Sequence, residues 1–233
     1  MSKKITKNKR IFLDKIIQNK KYSFEEAFLL LKETNFVKFD SSVDISVRLN
    51  INTRLPDQML RGSVLLPHGT GRKIKILALV TKDKELESKK AGADYVGLDD
   101  YIEKIKSGWK GMDIIVAMPT VMSQLSPIGK ILGPIGLMPN PKMETISMNP
   151  KELIRAIRLG KIIFKADRYG IVHSSIGKIS FNCKDLLDNV QSFMNQIIKN
   201  KPSSSKGTYI KSIYLSTTMS FGLLVDLKSL VKK

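Results

Sequence analysis

Two kinds of β-strand pattern occur along this sequence, and their order constrains the fold more than any other feature. In residues 43–51, apolar and polar residues alternate, which predicts a strand with one buried face and one face in water. Similar segments return towards the end of the chain, at 162–165, 171–181 and 209–218. Residues 74–80 and 114–118 are instead continuous apolar runs, typical of strands in a buried parallel sheet.

The continuous apolar runs lie between the strands that have one buried and one solvent-facing side, and this order predicts an insertion. We expect a split α+β domain formed by residues 1–67 and 160–233. We expect the inserted part, residues 68–159, to be an α/β domain in which helices alternate with short buried strands.

Capping residues mark several helix starts. We predict helices after a capping box and after two asparagines: Ser23 with Glu26, Asn149 and Asn182. A further helix is expected at 11–19, behind a basic arm at 1–10.

The charge of the chain predicts a polyanionic partner. Lys and Arg number 40 against 21 Asp and Glu, a net charge of +19, of which residues 1–67 and 160–233 together hold +14. A surplus of this size needs nucleic acid or an acidic membrane surface to neutralise it. Since no apolar run approaches the roughly 18 residues of a membrane helix, we expect nucleic acid as the partner and no membrane.

The single cysteine, Cys183, is consistent with a reducing, cytoplasmic location.

The sequence contains no arrangement suited to catalysis. His68 and His173 lie far apart, without acidic partners at metal-ligand spacing. The glycines of Gly69-Thr70-Gly71 precede a strand, whereas a dinucleotide fingerprint follows one, so a domain-joining turn is the simpler interpretation. We expect no metal, no cofactor and no enzymatic activity. A small-molecule enzyme built on the inner domain is the less favoured alternative.

Residues 131–142 contain three prolines and two glycines among apolar residues. Proline fixes φ and glycine permits positive φ, so we predict a loop of one stiff shape, anchored by Leu137 and Met138. Such a loop is either a rigid connector or a preformed surface for a partner.

A polar segment follows the last predicted strand: Ser216, Thr217, Thr218, Met219 and Ser220. Small hydroxyls and a flexible thioether can approach the minor groove of a nucleic acid closely. Lys38 and Phe39 offer a cation and a ring ahead of the first strand. On these residues alone, an ordinary polar strand end and a core position for Phe39 remain open.

Five segments resemble, in order, motifs of a single family. They read RGSVLLPHGTG (61–71), AGADYVG (91–97), LGPIGLMPNPK (132–142), HSSIGKISF (173–181) and KGTYIKSIYLSTTM (206–219). They are similar to those of the bacterial large-subunit ribosomal protein L-one family, which forms the mobile stalk beside the tRNA exit site. The resemblance extends from about Lys9 to Asp226.

The resemblance implies an outer, split RNA-binding domain and an inserted Rossmann-like domain without a nucleotide. It implies a cytoplasmic protein, monomeric when free, that binds the stalk base of large-subunit rRNA and contacts deacylated exit-site tRNA. It also implies repression of the protein's own mRNA through the mRNA leader. A free regulatory RNA-binding protein is the alternative. The residues that it assigns to RNA contact are Lys38, Phe39, Ser42, Asp44, His173, Lys178, Thr217, Thr218 and Met219, to which the polar segment adds Ser216.

Two pairs of adjacent residues depart from the family pattern. Ser220-Phe221 stands where Gly-Pro usually follows the last motif, which predicts a less close approach of the backbone to RNA. Met143-Glu144 stands where a small residue and glycine usually follow the stiff loop, which predicts a different local geometry there.

Overall fold

The computed structural model describes residue 16, residues 20–205 and residues 207–230. The expected basic arm at 1–10 lies outside the described residues, and so does the helix expected at 11–19, apart from residue 16. The chain divides into two compact units. The first comprises Met1–Leu60, Leu66–Gly71 and Phe164–Lys233, and the second comprises Arg61–Leu65 and Arg72–Ile163.

Strands and helices are numbered in chain order. The strands are β1 Ser42–Leu49, β2 Arg61–Leu65, β3 Ile76–Leu79, β4 Tyr95–Val96, β5 Ile114–Ala117, β6 Lys161–Lys165, β7 Ile171–Lys178, β8 Ile210–Thr217 and β9 Leu223–Val225. The helices are α1 Phe24–Glu33, α2 Lys82–Lys90, α3 Asp99–Lys106, α4 Met122–Leu125, α5 Gly129–Ile135, α6 Pro150–Arg158 and α7 Cys183–Lys199. Single 3₁₀ turns occur at Pro56–Gln58, Pro119–Val121, Ser126–Ile128, Pro141–Met143 and Leu227–Leu230.

The first unit is an antiparallel sheet in the order β7-β1-β8-β9, with α1 and α7 packed on one face. Side chains of β1 alternate between buried and accessible positions, as the period of two predicts. The helices contribute apolar sides to the core: Phe24, Ala27, Phe28 and Leu31 of α1, and Leu186, Val190, Phe193, Met194 and Ile197 of α7. The other face of the sheet, which we call the open face, carries polar and aromatic side chains.

The start of α1 shows the predicted capping box. The Glu26 N–H donates to Ser23 Oγ at 3.2 Å, and the Ser23 N–H donates to the Glu26 carboxylate at 3.5 Å. These bonds satisfy amide groups that have no partner inside the helix. Asn149 and Asn182 also stand immediately before helices, but neither side chain makes a capping hydrogen bond.

The second unit contains a parallel sheet in the order β4-β3-β5. All four residues of β3 are buried, because helices and strands surround it in the core. The strand β2 pairs with β6 in a separate two-stranded sheet, and Ser63 of β2 donates a hydrogen bond to Glu144 at 2.8 Å. The second unit includes β2 and the first three residues of β6, whereas the predicted boundaries at 67 and 160 assign both strands to the outer domain.

The predicted combination of α+β and α/β structure is confirmed, but two local predictions are wrong. Residues 131–135 belong to the helix α5 rather than to a loop, and Pro134 lies inside that helix. The prediction also missed β9, because its three residues follow the turn that ends β8. Among the described residues, no helix is both long enough and apolar enough to cross a membrane.

Candidate nucleic-acid interface

A tight turn ends β8. The Ser220 N–H donates to the Thr217 carbonyl oxygen at 3.0 Å, and the Thr217 N–H donates to Ser220 Oγ at 2.8 Å. Between them, Met219 has a φ of 71°, in the left-handed region that bulky side chains rarely adopt. The Met219 side chain is 72 % exposed. The turn therefore presents a flexible thioether to solvent at the cost of backbone strain.

The turn is tied to the start of β1. The Thr218 N–H donates to the Ser42 carbonyl oxygen at 3.1 Å, and the Ser42 N–H donates to Thr218 Oγ1 at 3.2 Å. A hydroxyl has two acceptor positions and one proton to donate. Because the bond from Ser42 uses an acceptor position, the Thr218 O–H can still donate to a ligand.

Lys178, at the end of β7, reaches the same place. Its Nζ donates to Ser42 Oγ at 3.2 Å and to the Asp40 carbonyl oxygen at 3.3 Å. An ammonium group has three donors, so these bonds leave one for a phosphate. The stem of Lys178 lies against Gly71, where φ is +67° and a Cβ would lie 2.9 Å from Lys178 Cγ. Gly71, in the predicted joining turn, thus makes room for Lys178.

Lys38 and Phe39 lie in the loop before β1. The Asp40 carboxylate accepts hydrogen bonds from the Ser180 N–H at 3.2 Å and from the Ser180 hydroxyl at 2.9 Å, which holds this loop. Lys38 is exposed and Phe39 is 54 % exposed, so the ring is not a core residue. We call the following set the strand-end surface: Lys38, Phe39, Ser42, Lys178, Thr218 and Met219.

Asp44 and Ser216 face each other across β1 and β8, next to the strand-end surface. Burial raises the pKa of the Asp44 carboxyl, and a hydrogen bond from Ser175 and the charge of Lys178 oppose this rise. The positive charge of Lys178 therefore favours the ionised form of Asp44.

Thr217 differs from the other predicted contact residues. It is only 4 % exposed and lies on the buried face of β8, and its Oγ1 has no hydrogen-bond partner among the described residues. Side chains alternate along a strand, so Ser216 is accessible and Thr217 is not. The Thr217 side chain thus does not reach the strand-end surface. Its backbone N–H bond to Ser220 makes it a residue that positions the turn.

His173 is also separate from the strand-end surface. It lies opposite Ser46, four residues along β1 from Ser42, roughly 13 Å at the rise of a strand. Its Nδ1 lies 3.0 Å from Ser46 Oγ, and its Nε2 lies 3.5 Å from Asp167. Burial acts to raise the pKa of Asp167, but hydrogen bonds from the Ile171 and Tyr169 N–H groups and from His173 outweigh it and lower this pKa.

The sequence analysis missed several residues of this region. Ser220 was predicted only as a member of the polar segment, whereas its hydroxyl closes the turn by accepting from the Thr217 N–H. Gly71 makes room for Lys178, a contact between segments that spacing alone does not connect. Arg48 is accessible on the open face, as the alternation in 43–51 indicates, yet it was not singled out. Arg54 and Arg168 are exposed at the end of the sheet away from Ser42, where Thr53 Oγ1 donates to the Arg168 carbonyl oxygen at 2.6 Å.

The predicted stiff segment of the second unit has a defined shape. Gly136, with a φ of 81°, ends α5, and Leu137 and Met138 pack partly against the core, as predicted. Glu144 has a φ of 51°, in the left-handed region that glycine usually occupies, so the different local geometry expected from Met143-Glu144 is not seen in the backbone at this residue. Its carboxylate accepts hydrogen bonds from Lys161 and Ser63, which lower its pKa.

The comparisons with known proteins agree with this architecture. The model of the Ribosomal protein L1p/L10e family matches residues 31–221. The large ribosomal subunit protein uL1 of Porphyromonas gingivalis is 53 % identical over 226 residues, which cover 97 % of each chain. Those of Bacteroides fragilis and Flavobacterium johnsoniae are 52 % and 51 % identical, covering 97 % of this chain and 97 % and 99 % of theirs.

A basic chain with this fold, matched over most of its length by one family model, is a ribosomal protein rather than an enzyme. It belongs to the Ribosomal protein L1p/L10e family. This membership confirms the resemblance of the five sequence motifs and the prediction of a non-enzymatic protein. Within the part of the chain that the structure describes, no group of three or more His, Cys, Asp or Glu side chains is arranged to hold a metal ion.

Proposed function

We propose that this chain is a structural protein of the large ribosomal subunit that binds the stalk base of large-subunit rRNA through its strand-end surface. The observation that carries the proposal is that hydrogen bonds join Ser42, Lys178 and Thr218, from two strands and a turn, with the exposed Met219 next to Thr218. The similar proteins named above are large-subunit proteins, which supports the assignment.

The strand-end surface combines two modes of recognition. Lys178 and Lys38 can neutralise phosphates of any nucleic acid, which supplies affinity without selectivity. The Thr218 hydroxyl and the Met219 thioether can approach the wide, shallow minor groove of an RNA helix, where 2′-OH groups accept or donate hydrogen bonds. The second mode depends on backbone geometry, so it selects RNA of matching shape.

The proposal assigns RNA binding mainly to the outer, split domain. The outer segments 1–67 and 160–233 hold +14 of the net charge of +19. The strand-end surface lies entirely in the first unit. The inner, Rossmann-like domain is then an insertion that the RNA-binding domain tolerates, because a longer connection adds little loop entropy.

We propose two further roles within a cytoplasmic ribosome. The exposed Arg54 and Arg168 lie at the end of the sheet away from the strand-end surface, which leaves a second basic surface for deacylated exit-site tRNA. The strand-end surface itself would also bind a leader of the chain's own mRNA if that leader folds like the rRNA site. The two RNAs would then compete for one surface of the monomer. A monomer that is not bound to rRNA would bind the leader and repress translation.

Titration of the full chain with a stalk-base rRNA fragment and with a random RNA duplex of equal length tests the proposal. We expect tighter binding to the fragment, hydroxyl-radical protection of its backbone, and sedimentation of the chain with large subunits. Lys178→Ala should weaken binding to the fragment, whereas Lys89→Ala, which removes an exposed charge from α2 in the second unit, should not. Equal affinity for both RNAs would reject specific rRNA binding.

A further inference from the structure

The open face carries a row of three side chains at the level of Ser46, four residues along β1 from Ser42 of the strand-end surface. His173 of β7, Ser46 of β1 and Tyr214 of β8 are register partners across the sheet. Ile213 and Leu215, the neighbours of Tyr214 along β8, are fully buried, whereas Tyr214 itself is 43 % exposed. The tyrosine therefore projects from the face opposite the helices.

Tyr214 is held in place rather than left mobile at an edge. On the β9 side it pairs in register with Leu224, and a Cβ built on Gly222 would lie 3.6 Å from Tyr214 Cδ1. On the β1 side its register partner Ser46 is small and lies within hydrogen-bond distance of His173. A large ring next to a small side chain leaves space above the sheet on that side.

We propose that the Tyr214 ring stacks on an unpaired base of the RNA that the strand-end surface binds. The inference rests on the proposed function for the identity of that RNA. It specifies that the RNA has a bulged or internal-loop base next to the groove contacted by Thr218 and Met219.

Continuity with the strand-end surface supports this position. Ser216 stands between Tyr214 and the turn on the same face of β8, and Thr218 lies four residues from Tyr214, roughly 13 Å at the rise of a strand. That distance is about the height of four stacked bases. A base that leaves the helix a few positions from the turn can therefore reach the ring while its neighbours remain in the groove.

The charge around the ring also favours a nucleotide. Arg48, two residues from Ser46 along β1, is exposed on the same face, and the His173 side chain is 60 % exposed. A cation near an exposed aromatic ring suits a base with its phosphate beside it. Stacking on a sheet-borne ring is a common mode by which proteins hold unpaired RNA bases, since every base has a π-face.

Three variants of the full chain test the inference. Tyr214→Ser removes the ring, Tyr214→Phe keeps it without the hydroxyl, and Tyr169→Ser removes an exposed tyrosine from the turn at the other end of the sheet. The probe is the stalk-base rRNA fragment, with the fluorescent base 2-aminopurine placed at each unpaired position in turn. Circular dichroism confirms that each variant is folded.

We expect Tyr214→Ser to weaken binding about five- to tenfold, near the lower end of the range for loss of one base stack, since the ring is partly covered. Tyr214→Phe and Tyr169→Ser should stay within about twofold of the unchanged protein. One 2-aminopurine position should be quenched by the unchanged protein and by Tyr214→Phe but not by Tyr214→Ser.

Two negative results have different meanings. If the unchanged protein prefers the fragment but Tyr214→Ser binds it equally well and quenches the same positions, the stacking role is wrong and rRNA binding stands. If the unchanged protein shows no preference for the fragment over a random duplex, the proposed function fails, and the stacking role fails with it.

Discussion

Replacing Met219 by glycine should stabilise the free protein while weakening its specific binding of RNA. Met219 has a φ of 71°, a conformation that costs an L-residue roughly 1–2 kcal/mol and glycine nothing. Glycine loses about 0.5–1 kcal/mol more backbone entropy on folding. The side chain is 72 % exposed, so its removal sacrifices little packing. The net gain in the free energy of unfolding should be about 0.5–1 kcal/mol.

The loss of binding follows from the same exposure. Burying a methionine side chain fully is worth about 1.5–3 kcal/mol, and most of the Met219 surface is still available to be buried by RNA. Met219→Gly should therefore weaken binding to the stalk-base fragment by about 1–2 kcal/mol, or roughly five- to thirtyfold. Binding to a random duplex should change little, because phosphate contacts carry it.

Two controls separate strain from contact. Met219→Ala keeps the unfavourable φ and removes the thioether, so it should lose the same affinity without gaining stability. Glu144→Gly removes the other positive-φ side chain in the described residues, in the second unit, and should leave RNA affinity unchanged. Urea unfolding and paired RNA titrations give both quantities. Lower stability of Met219→Gly, or unchanged binding by both Met219 variants, would refute the reasoning.

Three further predictions concern charge and hydrogen bonding. Lys178→Ala should flatten the dependence of log affinity on log salt by about one unit, and an unchanged slope would mean that this ammonium does not contact a phosphate. Thr218→Val should weaken binding to the fragment roughly five- to a hundredfold, since an RNA group loses its partner, and titration against a random duplex checks that the loss is specific. The variant should also be slightly less stable, because the Ser42 N–H loses its acceptor. The Lys161 hydrogen bond lowers the pKa of Glu144, so its contribution to stability is full above the ordinary value of 4.5 and disappears as pH falls through the lower folded value. Glu144→Gln should therefore show a flatter loss of stability below about pH 4.5 in urea titrations, and an identical pH profile would contradict this assignment.

Patterns within one segment predicted the elements of this fold, because local periodicity decides which face of a strand is buried. The alternation in 43–51 predicted the two faces of β1, and the capping box at Ser23 predicted the start of α1. The helix α5 was missed because Pro134 and two glycines indicate a loop, whereas packing of Leu132 into the core overrides that preference.

The candidate site was harder to predict because it depends on contacts between distant segments. The motif at 206–219 included Thr218 and Met219, but it did not indicate that Thr218 accepts a hydrogen bond from the Ser42 N–H, which is 176 residues away. The burial of Thr217 follows from alternation along β8 and could have been predicted from the sequence. The room that Gly71 makes for Lys178 could not, because it joins a loop to a strand.

The two positive-φ side chains of the described residues show how differently such strain can be compensated. Glu144 is stabilised within the protein, since Lys161 and Ser63 bind its carboxylate. Met219 is held by the two hydrogen bonds between Thr217 and Ser220 that close its turn, and its own side chain extends into solvent. Strained residues of this kind occur at ligand-binding sites. The hydrogen bonds around Ser42 fix the turn in the free chain, so the proposed binding of RNA would cost little entropy for ordering it. Rigid presentation of an exposed thioether is therefore what the strained turn would contribute to the proposed recognition of RNA.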